Sequence, residues 1–203
     1  MESDKFIACS LKTRISKRYS IFDLADTDHP LELSISPDSI LVNPVRKEII
    51  AAKTGNDLQI YNWENGQYIT RGLHNKRIGF AILMCKWIDE KTIVIITHDT
   101  VYHWSLEGDD PPVTMFSLDR KIIEHYRIID YRVDSDQKLF VVISQSKRGR
   151  DTPLIQLFDS ENGKSQVIEG NAACFAMIRQ GFDAHTSTVI VYTSINHRKE
   201  NMV

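Results

Sequence analysis

The chain has 203 residues and a mass of 23.4 kDa, with 25 basic against 27 acidic side chains and a net charge of −2. That balance argues against attachment to nucleic acid or an anionic membrane by charge alone, which calls for a basic excess. Isoleucine (25) and valine (12) together outnumber leucine (13) and alanine (9), so the 42% apolar composition tilts toward strands and an all-β core.

In chain order, the opening MESDKFIACSLKTR is acidic, with no apolar stretch leading to a small-residue cleavage site, and reads as no signal peptide. An apolar run FIACS starts at Phe6, and YSIFDLAD follows from Tyr19. SILVN (39–43), the turn-like NPVRK, EIIAAK from Glu48 and LQIYNWENG from Leu58 come next. The same succession returns as AILMCKWI (81–88), DEK, TIVIITHD from Thr92 and TVYHWSLEG from Thr100. It returns again as YRIIDYRV (126–133), DSDQ, KLFVVISQ from Lys138 and IQLFDSENG from Ile155. ACFAMIR (173–179), QGFDAHTS and TVIVYTS from Thr188 complete the series.

The five runs beginning at Phe6, Glu48, Thr92, Lys138 and Thr188 start 42, 44, 46 and 50 residues apart. Each full unit reads as strand, turn, strand, short turn, strand and a looser connection. Three units are expected to close a strand on a glycine, at Gly66, Gly108 and Gly163, because glycine tolerates positive φ. Meanders of three or four strands at this period are the signature of a β-propeller. The count gives about three complete blades flanked by two partial ones. No run approaches the roughly 18 apolar residues that span a bilayer. Cys9, Cys85 and Cys174 are too widely spaced for a CxxC zinc site and are expected to be buried reduced thiols in a cytosolic protein.

Several segments also resemble a known family. MESDKFI, SPDS and NP (36–44), LQIYN (58–62), KW (86–87), VYHWSLEG (101–108), IIDYR (128–132) and VIEGNAACFA (167–176) are similar, in order, to the N-terminal domain of the clathrin heavy chain. The resemblance implies that residues 1–203 correspond to blades one to five of a seven-bladed propeller, without the last two blades or the helical leg and trimerisation region. It implies no enzyme, no cofactor and no metal. The expected partners are endocytic adaptor proteins carrying clathrin-box peptides, with coat assembly if the chain belongs to a longer one. The expected location is the cytosolic face of coated pits and vesicles, without nucleic acid or direct membrane insertion.

Carried over residue by residue, the family's peptide groove between blades one and two falls on Leu31, Ile50, Gln59 and Tyr61. The family's arginine falls on Leu33, a threonine on Asp57, and two rim lysines on Gly66 and Tyr68. Ile50 rather than Ile49 is the expected wall, because it keeps the in-out alternation of EIIAAK. Losing positive rim charges and gaining Asp57 implies weakened or redirected binding of acidic peptides. A weaker groove between blades four and five falls on Leu139, Leu157, Asn162 and Gln166. The top site falls on Arg127, Ile129 and Gln145, and its departures imply that it is lost.

Other residues have plainer readings. Trp63, Trp87 and Trp104 are expected to pack between blades. SKRGRD (146–151) reads as a solvated loop, and His98, Asp99, Thr100 and His103 as residues of a turn between strands. No HExxH, GxSxG or GxxxxGKS spacing occurs in the sequence.

Overall fold

A computed structural model describes residues 4–12, 17–33, 37–64, 67–73, 81–108, 110–149, 151–180 and 185–194. Its strands form five successive meander sheets. The chain divides into two compact units, Met1–His98 with Tyr102–Val113 and Asp99–Val101 with Thr114–Val203.

Sheet 1 runs β1 (Phe6–Lys12), β2 (Lys17–Asp23), β3 (Asp26–Leu33). Sheet 2 runs β4 (Ser39–Val42), β5 (Ile49–Thr54), β6 (Asp57–Glu64), β7 (Gln67–Leu73), antiparallel throughout. Sheet 3 has the order β8 (Met84–Trp87), β9 (Thr92–Ile96), β10 (Thr100–Ser105), β11 (Val113–Ser117). Sheet 4 is β12 (Tyr126–Val133), β13 (Leu139–Ser146), β14 (Leu154–Asp159), β15 (Lys164–Glu169). Sheet 5 pairs β16 (Ala172–Gln180) with β17 (His185–Thr193). Three four-stranded sheets flanked by a three-stranded and a two-stranded one give the blade count that the repeat implies.

The looser connections hold strands that sequence periodicity missed. β3, β7, β11 and β15 pair as the last strand of each of the first four sheets. β15, KSQVIE, is mostly exposed, and β3, DTDHPLEL, carries a proline and four charged or imidazole side chains before its apolar end. Edge strands bury little and are kept polar, so they lack the apolar run that marks an inner strand. A short helix, α1 (Arg120–His125), was likewise not expected. Asp119 caps it by accepting from the Lys121 N–H at 2.8 Å, and Ile122 anchors it in the core.

In the first unit, both faces of sheet 2 are buried. Ile49, Ala51, Leu58 and Ile60 join Ile82, Trp87, Ile93, Ile95 and Trp104 of the third repeat. Ile50, the next residue along β5, points the other way and joins Tyr19, Ile21 and Leu33 of sheet 1. Strands buried on both faces read as continuous apolar runs, which is why EIIAAK and TIVII do not alternate. Trp87 and Trp104 therefore pack between sheets as expected, and the Trp87 indole N–H donates to the Leu41 carbonyl at 3.1 Å. The Trp63 side chain lies outside the described residues.

The turns before the inner strands share one device. Asn43 Oδ1 accepts from the N–H groups of Val45 and Arg46, Asp89 Oδ1 from those of Lys91 and Thr92, and Asp134 Oδ1 from those of Lys138 and Leu139. Asn43 also donates to the Glu90 carbonyl at 2.7 Å, tying one turn to its counterpart in the next repeat. Gly108 and Gly163 close their strands at φ 75° and 61°, as expected, whereas Gly66 lies outside the described residues.

In the second unit, sheet 4 presents Phe140 and Phe158 to Phe116 of β11, with the Phe116 and Phe158 rings stacked at 4.5 Å. Its other face, Val141, Ile143 and Ile155, packs against Ala173 of β16. Buried Gln156 bridges the first of these layers. It accepts from the Asp119 N–H at 2.8 Å and donates to the Ser117 carbonyl at 3.0 Å and to Ser165 Oγ at 2.9 Å.

The cysteine expectation needs correction. All three are free, but Cys9 and Cys174 are exposed, because β1 is an edge strand and β16 belongs to a two-stranded sheet. Only Cys85 is substantially enclosed, and burial pushes its thiol up to about 11.

Trp87→Ala empties the centre of the first-unit core and breaks the bond to Leu41. It is expected to cost about 3–5 kcal/mol of unfolding free energy by urea titration, the range for a buried aromatic truncation.

Candidate functional site

Sheet register decides which side chains meet. In β5 and β6, Ile50 lies opposite Tyr61 and Ala52 opposite Gln59, so these four share one face of sheet 2. Asp57 is on that face by the same two-residue period, at the strand's start. In sheet 1, Tyr19 pairs with Leu33 and Ile21 with Leu31, which puts both leucines on the face that meets Ile50. All six described residues expected at the first groove therefore gather along one seam within the first unit.

Their burial is graded. Ile50 is 1% exposed and Leu33 2%, so both are closed into the sheet-to-sheet core. Leu31, Asp57, Gln59 and Tyr61 are half-buried around them. The Tyr61 hydroxyl donates to Gln59 Oε1 at 2.5 Å, which fixes the orientation of the amide. Tyr19 continues the seam, its hydroxyl donating to the carbonyls of Pro37 and Asp38. Gly66 and the Tyr68 side chain, expected at the rim, lie outside the described residues.

The second expected groove is in the other unit. Leu157 lies opposite both Val141 and Gln166, and Leu139 opposite Asp159, on the sheet 4 face that carries Val141, Ile143 and Ile155. Leu157 packs into that cluster beside Phe175 of sheet 5, while Gln166 is exposed. Asn162 is exposed in the β14–β15 turn and donates to Asp159 Oδ2 at 2.6 Å. This turn bond, with the Asn162 and Glu161 N–H groups, holds the Asp159 carboxyl below its ordinary range. The three top-site positions are together on sheet 4. Arg127 pairs with Gln145 and donates to its Oε1 at 2.7 Å, and Ile129 sits at the bulge between Ile128 and Asp130, 46% exposed.

β10 begins at Thr100, where the TVYHWSLEG run starts, but His103 is buried inside the strand, 8% exposed, and is not a residue of the turn. Burial pushes its imidazole down to about 4, against a weaker upward pull from Asp89. SKRGRD is only partly a loop. Ser146 ends β13 and is buried, and Lys147 Nζ donates to the Ile123 carbonyl of α1 at 3.0 Å. Arg150 lies outside the described residues. Among the described residues no group of three His, Cys, Asp or Glu side chains could hold a metal ion, and no helix is long and apolar enough to cross a membrane.

Successive meander sheets joined through apolar faces define a β-propeller. The folds of TolB from Acinetobacter baumannii (TM-score 0.51, 17% identity, 94% of this chain and 51% of that one) and the Cps50 (Swd1) beta-propeller domain of Myceliophteria thermophila (TM-score 0.50, 9% identity, 93% and 68%) are similar to it. No family model matches the chain. In sequence it is 37% identical over 194 residues to probable clathrin heavy chain 1 of Caenorhabditis elegans, 32% over 197 residues to clathrin heavy chain 2 of Homo sapiens, and 33% over 193 residues to clathrin heavy chain of Drosophila melanogaster. These alignments cover 95–97% of the chain and 11–12% of each relative, so the chain spans about a tenth of their length. The chain belongs to the clathrin heavy chain family.

The buried imidazole sets a pH dependence. The unfolded chain takes up a proton at His103 below its ordinary value of 6.5, while the folded chain refuses it down to about 4. Stability is unaffected above pH 6.5 and falls as pH drops between those values, by up to about 3 kcal/mol. Urea denaturation of the chain and of His103→Gln across this window is expected to show a steeper acid loss in the unsubstituted chain.

Proposed function

We propose that this chain is a peptide-docking propeller of the clathrin coat. The seam between sheets 1 and 2 receives a short extended segment of an endocytic adaptor during vesicle-mediated transport. This places it at the cytosolic face of coated pits and vesicles, as a binding module rather than an enzyme. The reading is supported by family membership and, above all, by one observation: Leu31, Leu33, Ile50, Asp57, Gln59 and Tyr61 share one seam although they come from separate strands. An extended peptide suits such a seam, because alternate side chains enter apolar wells while polar groups satisfy its backbone. The groove formed by Leu139, Leu157, Asn162 and Gln166 is proposed as a weaker second site, and the Arg127–Gln145 pair leaves the top position without this role.

A second reading has its own support. The nearly complete burial of Ile50 and Leu33 leaves the deepest wells filled by the protein's own side chains, which favours a divergent paralogue with a structural or decoy role and no peptide binding.

Calorimetric titration with a clathrin-box peptide separates the two. Weak saturable binding is expected, lowered by Gln59→Ala. Asp57→Lys is expected to raise affinity about two- to fivefold by replacing a repulsive rim charge with an attractive one. Absence of saturable binding up to millimolar peptide, in protein with a cooperative melt, establishes the second reading.

A further inference from the structure

We propose that the end of sheet 4 where β12 begins and β13 ends docks an extended acidic peptide, whose carboxylates at alternate positions meet Arg127 and Lys147. The site is in the second unit and does not rest on the reading of the seam. Sheet 4 has a neighbour on each face, Phe116 of β11 on one and Ala173 of β16 on the other. What it presents outward is its strand ends.

At this end the ladder runs one residue past the strands. Tyr126 lies opposite Ser146 and Arg127 opposite Gln145, and the Lys147 N–H donates to the His125 carbonyl at 2.9 Å. Gln145 and Lys147 are two residues apart, so pleat alternation sets them on one face together with Arg127. All three are exposed. Arg127 and Lys147 are diagonal neighbours, with about 7–8 Å between their backbone positions.

How these two cations are held sets them apart. Lys47, Lys91, Arg120, Arg132 and Lys138 each lie within ion-pair distance of a carboxylate. Arg127 instead donates from Nη2 to the neutral Gln145 amide oxygen at 2.7 Å. Lys147 donates from Nζ to the Ile123 and Glu124 carbonyls of α1, at 3.0 and 3.4 Å. A cation oriented by a neutral acceptor keeps its charge and has less freedom to lose when an anion arrives. The guanidinium of Arg127 also has further N–H donors for a carboxylate.

The carboxylates around this end are engaged or remote. Glu124 pairs with Arg120 at 2.7 Å, Asp119 caps α1, and Asp151 accepts from Ser146 Oγ at 2.9 Å. Glu169 is on β15, the far strand of the sheet. Lys121 and Arg148, both exposed, add positive charge on either side.

The spacing selects the occupant. Arg127 and Lys147 are anchored in different directions, one on β13 and one on α1, so they suit two anionic groups better than one compact anion. Alternate side chains of an extended peptide stand about 7 Å apart on one side, which matches the diagonal pair. A membrane is the poorer complement. Its continuous negative surface would also meet Asp119, Glu124 and Asp151, whereas a narrow peptide can cross the two cations and leave those carboxylates aside.

Fluorescence anisotropy of a labelled octapeptide alternating glutamate and threonine, titrated with the 203-residue chain, tests this. Saturable binding is expected at about 50 mM sodium chloride and weaker binding at about 300 mM, with none for the peptide carrying glutamine in place of glutamate. Arg127→Gln and Lys147→Gln are each expected to lower the affinity about two- to fivefold. Lys147→Gln also removes a donor from the α1 carbonyls; should it lack a cooperative melt, Arg127→Gln and Arg127→Glu carry the test, because Arg127 is exposed. Absence of saturable binding by the folded chain up to about 1 mM overturns the proposal, as does an affinity that the folded variants leave unchanged. Inorganic phosphate that competes as well as the peptide overturns it in favour of a compact anion. Phosphatidylserine-containing vesicles that bind the chain where the peptide does not overturn it in favour of a membrane surface.

Discussion

The register of β5 is the constraint on which the first unit depends. Ile49 and Ile50 are adjacent, and the pleat sends them into different cores, one around Trp87 and one around Tyr19 and Leu33. A one-residue slip of β5 against β6 would exchange Ile49 and Ile50 between the two cores and put each opposite the wrong face of β6. Register here is therefore held from two sides. The Asn43 side chain holds it from a third, since it orders the turn entering β5 and reaches the Glu90 carbonyl of the next repeat.

The second unit solves the same problem with different chemistry. By register, its equivalents of Ile50 and Ala51 are Phe140 and Val141, which point to the aromatic layer and to the aliphatic layer shared with sheet 5. Where Gln59 in the first unit faces the seam and is half-buried, Gln156, its counterpart in the repeat, is fully enclosed and saturated by Asp119, Ser117 and Ser165. One repeat position thus serves at a partly open surface in one sheet and as an internal clamp in another. A buried amide is tolerable only when its donors and acceptor are all engaged, which the three bonds achieve.

How much of this was legible follows from where each strand lies. The inner strands FIACS, EIIAAK, TIVII and LFVVIS are apolar because their neighbours enclose them, and their spacing carries the repeat. The outer strands β3 and β15 take hydrogen bonds on one side and bury little, so nothing in DTDHPLEL or KSQVIE separates them from a loop. The turn residues Asn43, Asp89 and Asp134 were visible as polar punctuation but not as hydrogen-bonding acceptors of one design. His103 was grouped with the turn residues His98, Asp99 and Thr100 although it falls within the TVYHWSLEG run, where alternation turns it inward with Val101. The direction of Ile50 was recoverable from alternation; its burial depended on Tyr19 and Leu33, which are distant in sequence. The cysteines misled because a small apolar side chain on an edge strand has the composition of a core residue without its neighbours.

Burial also constrains how the seam can act. Ile50 and Leu33 stabilise the contact between sheets, and a ligand that displaced them would cost the fold its own packing. A docked peptide is therefore confined to the mouth, where Leu31, Gln59, Tyr61 and Asp57 are half-buried. Because Tyr61 occupies the Gln59 oxygen, the amide of Gln59 offers a newcomer its N–H donors. A peptide carbonyl or carboxylate is the chemical complement of those donors, while Asp57 at the start of the same strand repels the second of them. The seam's polarity thus favours the backbone of an extended chain over its acidic side chains, and recognition there rests on direction and shape more than on charge.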